Sequence, residues 1–334
     1  MIRPFSITGI GSLPHRDPNE ACRLVLETFD IPFWPQLPRV SFLEWMTTQY
    51  SEGMPFIHID ADNETISVVR DESDDLERFY EAYGDNWRIA ISEDYAQGLH
   101  AFLRAIKTRH FEYLKGQITG PLTFTLGLKD RDGRLLYFDE ELRQISLMLL
   151  QAKARWQIDQ LRPFADHVII FIDEPILSAV GSSTYLGVSS EESLRLLRET
   201  ADAIRDAGGI PGIHCCGNAD WPLVIKSGAE VINFDAYAYF DGFAIYHEDI
   251  KKFLENGGYL AWGAVPTTDA ISEETPESIL ATFNNRMEIL SKHIPKDILL
   301  SQIILTPSCG VGTRTVAETL KILQLLMRLK EALS

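Results

Sequence analysis

His214 and Cys216 stand two residues apart at the end of an apolar run, Ile210–Cys215, with a second cysteine between them. On a β-strand, alternate side chains share a face, so His214 and Cys216 point one way and Cys215 the other, towards packing neighbours. Cys309 follows another apolar run, Ile303–Thr306, and Asp235 follows a third, Val231–Phe234. An imidazole, two thiolates and a carboxylate suit Zn²⁺ better than Mg²⁺ or Ca²⁺, which take oxygen ligands. Structural zinc sites usually draw on local CxxC pairs, and this sequence has none. Ligands drawn from distant runs predict a catalytic metal with a position open to substrate. The plainer alternative is that the cysteines are small buried hydrophobes and the His-x-Cys spacing is chance.

These residues need elements that bring them together. Eight strand-like runs recur along the chain: Phe5–Ile10, Phe33–Leu37, Gly116–Thr119, His167–Ile172, Ile210–Cys215, Val231–Phe234, Tyr259–Gly263 and Ile303–Thr306. Helical patterns lie between them, among them Glu140–Leu161, Ser190–Ala207, Pro276–His293 and a last one over Thr315–Leu333. Ser189 and Ser190 ahead of Glu191 and Glu192 mark a helix start, and Pro276 sits where a first-turn proline belongs. Eight β-then-α units predict an α/β fold, a single (β/α)₈ TIM barrel spanning residues 1–334. A hairpin over Phe56–Arg70, turning at Asp62-Asn63-Glu64, and a helical run over Asp71–Leu114 predict an insertion after the second strand, at about residues 50–114.

The unusual polar motifs each sit at the C-terminal end of a predicted strand. Gly11-Ser12, Thr119-Gly120-Pro121, Asp173-Glu174-Pro175, His214–Cys216, Asp235, Pro266-Thr267-Thr268 and Ser308-Cys309-Gly310 would therefore converge on one face of the barrel, where such folds carry their active sites. The plainer alternative for Asp173-Glu174-Pro175 is a turn with a helix cap. Trp34, Trp45, Trp221, Trp262, Tyr237 and Tyr239 also fall near strand ends, where aromatic side chains most often serve packing.

Bulk properties narrow the function further. The 334 residues carry a formal charge of −17 with no Lys/Arg cluster, which disfavours nucleic-acid and anionic-membrane partners. No apolar run reaches membrane-spanning length, and the N-terminus lacks a signal-peptide pattern. A cytoplasmic location is therefore expected, and its reducing conditions argue against a disulfide framework among the four cysteines.

Taken together, Ile10-Gly11-Ser12, Thr119-Gly120-Pro121, Ile172-Asp173-Glu174-Pro175, His214-x-Cys216, Val231-Ile232 leading to Asp235, and Pro307-x-Cys309-Gly310 with Thr313-Arg314 resemble the catalytic domain of cobalamin-independent methionine synthase. Its wider superfamily of (β/α)₈ proteins also includes coenzyme M methyltransferases and uroporphyrinogen decarboxylase. The resemblance implies His214, Cys216 and Cys309 as zinc ligands, with Asp235 at the place of a family glutamate and one methylene shorter. It implies Asp173 at the ammonium group of homocysteine, and Gly11 and Ser12, with nearby backbone amides, at its carboxylate. The family's full-length enzyme has a second, N-terminal barrel that helps hold a polyglutamylated folate. This chain carries one barrel's worth of units and no basic surface to replace it. The expected methyl donor is therefore a methylated corrinoid, free or on a carrier protein, with methyltetrahydrofolate as the family's own alternative. Competing readings are a metal-free decarboxylase using Arg3, Arg16 and Arg39, an alkyltransferase for another thiol of the coenzyme M type, and a non-catalytic zinc or amino-acid binding protein.

Overall fold

A computed structural model describes residues 1–84, 88–180 and 185–334. An antiparallel hairpin, β1 (Ile57–Asp60) and β2 (Thr65–Val68), comes first, with Ile57 opposite Val68. Six parallel strands follow in chain order: β3 (Phe111–Thr119), β4 (Ala165–Asp173), β5 (Ile210–Cys215), β6 (Val231–Phe234), β7 (Tyr259–Val265) and β8 (Ile303–Pro307). Each pairs with the next, and helices between consecutive strands cover the outside. This is a TIM-barrel-like α/β fold.

The two remaining barrel positions are taken by extended segments without continuous ladders. The first runs beside β8, where Thr8 N–H donates to Leu305 C=O at 3.1 Å and Leu305 N–H to Ser6 C=O at 2.9 Å. The second meets the first through Gln36 N–H and Gly11 C=O at 3.0 Å, and meets β3 through Lys115 N–H and Pro32 C=O at 2.8 Å. The reason for the broken pairing is in the sequence. Pro32, Pro35 and Pro38 remove three donors from the second segment, and Phe5 takes a left-handed φ of 59° in the first.

The predicted hairpin is present. The helical run after it is interrupted: helices cover Asp75–Tyr83 and Gln97–Ala105, and residues 85–87 of that run lie outside the described residues. Its end is strand, because β3 begins at Phe111, five residues before the predicted Gly116. Aromatic residues at 111 and 113 suit a pleated surface, and Tyr113 stacks on His167 of β4 at 4.8 Å. The helix Gln97–Ala105 packs against the barrel, where Gly98 lies so close to Pro35 C=O that a Cβ would come within 1.8 Å of the oxygen. Its first turn is capped by the buried Glu44, which accepts from Gln97 N–H and from Leu37 N–H, both at 2.9 Å.

Most of the core lies between strands and helices, and Cys215 is part of it, fully buried with its thiol pushed up to about 12 by that burial. A smaller cluster fills the base of the barrel interior, with Tyr113, Ile169, Phe171, Val231, Ala261 and Ile304 pointing inward. Among the described residues, no helix is long and apolar enough to cross a membrane.

Candidate metal centre

Above that apolar base, the same inward positions turn polar. His214 is the last inward residue of β5, and Cys216 follows one step past the strand end. Cys309 comes from the turn after β8, which is clamped on several sides. Ser308 N–H donates to Val265 C=O at 2.8 Å, Thr267 N–H donates to the Ser308 hydroxyl at 3.2 Å, and Val311 N–H donates to Ser12 C=O at 3.1 Å. The turn needs glycine at 310, where a Cβ would lie 2.3 Å from the Ser12 hydroxyl.

One ligand atom from each of His214, Cys216 and Cys309 falls within 4.8 Å of the others, and Cys309 Sγ lies 3.7 Å from His214 Nε2. Tetrahedral zinc with ordinary bond lengths would set an N···S separation of about 3.6 Å and an S···S separation of about 3.8 Å. The donor set therefore fits such an ion.

Local interactions prepare each ligand. His214 Nδ1 pairs with Asn233 Oδ1. Asn233 is fully buried, and its amide donates to Ala261 C=O at 2.7 Å and Thr306 Oγ1 at 2.8 Å. Those two donor bonds fix which way the Asn233 amide faces, so its oxygen accepts from Nδ1–H and leaves the Nε2 lone pair for a metal. Burial alone would pull the His214 imidazolium down, but the Cys216 thiolate, Asp173 and Asn233 outweigh it and raise it. The Cys309 thiol donates towards Cys216, which holds Cys216 far below an ordinary thiol, while Cys309 itself is raised.

These residues open onto a cavity of about 600 Å³, lined also by Ile10, Ser12, Trp45, Met46, Asp173 and Pro175. Asp173 is 7% exposed, and its Oδ1 has no hydrogen-bond partner among the described residues. Burial pushes its carboxyl up to about 6, against the pull of His214 and Lys115. Ser12 accepts from Gly312 N–H at 3.2 Å at the cavity wall. Gly11 sits behind it, pairing with Gln36, and a Cβ there would lie 3.0 Å from the Gln117 amide.

Asp235 is not part of the three-residue cluster. Its Oδ1 accepts from Ala238 N–H at 2.8 Å, turning the carboxylate into the chain that follows β6, and burial pushes it up to about 6. The Asp173-Glu174-Pro175 motif divides its labour. Asp173 faces the cavity, whereas Glu174 is fully buried and accepts from Leu122 N–H, Thr123 N–H and the Thr123 hydroxyl, capping the helix Pro121–Gly127. A Cβ at Gly120 would lie 2.1 Å from the Glu174 carboxyl carbon, so the glycine of Thr119-Gly120-Pro121 leaves room for that cap. Trp34, Trp221 and Trp262 are core residues, while Trp45 reaches the cavity wall. Arg3 and Arg16 do not line the cavity. Arg39 does, but its guanidinium donates to the carbonyls of Gly312, Thr313 and Arg314. Asn233, which bonds His214, and the buried Lys115 beneath the cavity have no place in the sequence reading; their signal is an inward polar side chain in mid-strand, at positions 233 and 115.

No protein-family model and no curated protein matches this sequence. A solved structure does match: a B12-independent methionine synthase from Shewanella sp. W3-18-1 in complex with selenomethionine, 17% identical, with a TM-score of 0.61, covering 98% of this chain and 97% of that one. What the two share is the fold. At this identity the likeness extends to the path of the chain from end to end, and the chemistry must be argued from the site.

Proposed function

We propose that the chain is a zinc-dependent methyltransferase that moves a methyl group from a methylated corrinoid, free or protein-borne, or from methyltetrahydrofolate, to homocysteine, giving methionine. One observation carries this reading. An imidazole and two cysteines in tetrahedral reach of one another open onto the same cavity as a buried carboxylate oxygen with no partner. The first set suits a metal that binds thiols, and the second suits an ammonium group. The likeness to a methionine synthase solved with selenomethionine agrees with an amino-acid ligand of that shape.

Zn²⁺ at this site would hold the substrate sulfur as thiolate at neutral pH. The chain's own residues do the rest. His214, Cys216 and Cys309 supply ligands, and Asn233 keeps the imidazole in the right tautomer. Asp235 completes the set by giving up Ala238 N–H. Asp173 takes the substrate ammonium, and Ser12 with the backbone around Gly11 takes its carboxylate. The wall of Pro38, Trp45, Met46 and Pro175 excludes water and leaves room for the donor. The sulfur would displace the donor in line: a carbon–sulfur bond forms as the donor–methyl bond breaks, the electron pair leaves with the donor, and the thiol proton goes to solvent or, with the folate, to the departing nitrogen. A reducing cytoplasm keeps both thiols available. Metal-free decarboxylation of a polycarboxylate finds no support here, because Arg39 is committed to backbone carbonyls.

Elemental analysis of the wild type beside Cys309→Ser tests the proposal. About one zinc per chain in the wild type and almost none in the variant is expected, followed by methionine formation from homocysteine with methylcobalamin or methyltetrahydrofolate. A wild type that takes up no zinc at neutral pH overturns it.

A further inference from the structure

Below the cavity, inside the barrel, lies a lysine that the scheme above does not use. Lys115 projects inward from β3 and is fully buried. Its Nζ donates to Ile10 C=O at 2.6 Å and reaches Gln117 Oε1 at 3.4 Å. The rings of Phe171 and Phe33 lie 4.5 Å and 5.3 Å from it. Among the described residues, the lysines found in ion pairs are Lys153 and Lys330, so Lys115 has only neutral acceptors and aromatic faces around it. Burial pulls the Lys115 ammonium well down and Asp173 pulls it back up, so an anion bound close by would favour its charged form.

The use is indicated by what Lys115 touches. Ile10 C=O is one end of a peptide group whose other end is Gly11 N–H, and Ile10 and Ser12 both line the cavity. A cation on the carbonyl enlarges the dipole of that peptide and makes its N–H a stronger donor to an anion. On the neighbouring strand β4, Asp173 presents the opposite case, a buried carboxylate oxygen without a partner. The two charges feel each other at longer range but form no ion pair.

We propose that Lys115, acting through the Ile10–Gly11 peptide, is the charge that holds the carboxylate of the amino-acid ligand whose ammonium the reading above gives to Asp173. Lys115 is thus a positioning residue, since it acts through a peptide and does not itself reach the cavity wall. The inference rests on the amino-acid thiol reading above and deepens it by assigning the charge that recognises the carboxylate.

The test compares two ligands on the zinc-loaded protein by titration calorimetry: L-methionine, and 3-(methylthio)propylamine, the same molecule without its carboxylate. Lys115→Met keeps the length and apolar stem of the side chain. It should weaken methionine by roughly 10- to 100-fold, the size expected of one charge acting across a few ångströms of protein interior, and leave the amine unchanged or tighter. Asp173→Asn should weaken both ligands. Equal loss of both ligands in Lys115→Met, or loss of neither, overturns the inference while leaving the amino-acid reading intact. A wild type that binds neither ligand overturns the reading itself, and the inference falls with it. If thermal unfolding shows that Lys115→Met does not fold, Lys115→Gln is put through the same pair of titrations with the same outcomes.

Discussion

The inward positions of the barrel strands fall into two halves, and the same strands supply both. In the lower half, Ile169 and Phe171 of β4, Val231 of β6, Ala261 of β7 and Ile304 of β8 interlock as an apolar plug. Gly212 of β5 leaves space for it, since a Cβ there would lie 2.5 Å from the Phe171 ring. Two residues further along the same strands stand Asp173, Asn233 and Thr306, with His214 on β5, all hydrogen-bonded or poised for a ligand. The lower half holds the strands together by close packing, which tolerates no vacancy. The upper half spends stability on buried polar groups, and it can do so because the plug beneath fixes the strands that carry them.

The comparison can be broken from either side. The largest effect is expected at the top: Cys309→Ser should reduce bound zinc to near zero by elemental analysis and abolish methyl transfer, while the circular dichroism of the metal-free protein stays that of the wild type. Next comes the base, where Ile304→Ala should cost about 2–5 kcal/mol in urea denaturation, with zinc affinity unchanged below the transition. An Ile304→Ala protein with normal stability, or with lost metal affinity, would erase the division between the halves. Asn233→Ala sharpens it, because this residue belongs to the strand scaffold and also orients His214. A roughly 10- to 100-fold loss of zinc affinity is expected in chelator competition, larger than any loss in unfolding midpoint would explain.

The smallest effect concerns pH. Burial pushes the Glu174 carboxyl from 4.5 to about 7 in the folded chain. The folded state therefore binds this proton more tightly than the unfolded state, and the associated stability is present below about pH 4.5 and lost as pH rises towards 7. Glu174→Gln, though less stable through a poorer cap, should show a flatter dependence of its urea midpoint between pH 5 and 7.5. An unchanged slope would mean that Glu174 does not titrate in this range.

Much of the upper half was legible because strand alternation is local. The i, i+2 spacing of His214 and Cys216 at the end of an apolar run placed both on one face, and β5 and β6 have the bounds expected from the sequence. The roles of Asn233, Lys115 and Glu44 were not legible. Asn233 acts through bonds to β7 and β8, Lys115 through the backbone of the first segment, and Glu44 through the amides of Leu37 and Gln97. Such partners are set by three-dimensional neighbours: a polar residue at an inward mid-strand position marks Asn233 and Lys115 but does not say what they bond. The orientation of Asp235 was hidden for a similar reason, since a carboxylate one methylene shorter finds a backbone amide three residues on. The start of β3 was misplaced because a short apolar run does not separate helix from strand by periodicity.

The separation of His214 and Cys309 by 95 positions has a consequence during synthesis. At ordinary elongation rates, roughly 5–20 s pass between the emergence of the two residues. Through that interval the nascent chain holds His214 and Cys216 without Cys309, so the three-residue cluster closes only once the last strand and the turn after it have emerged.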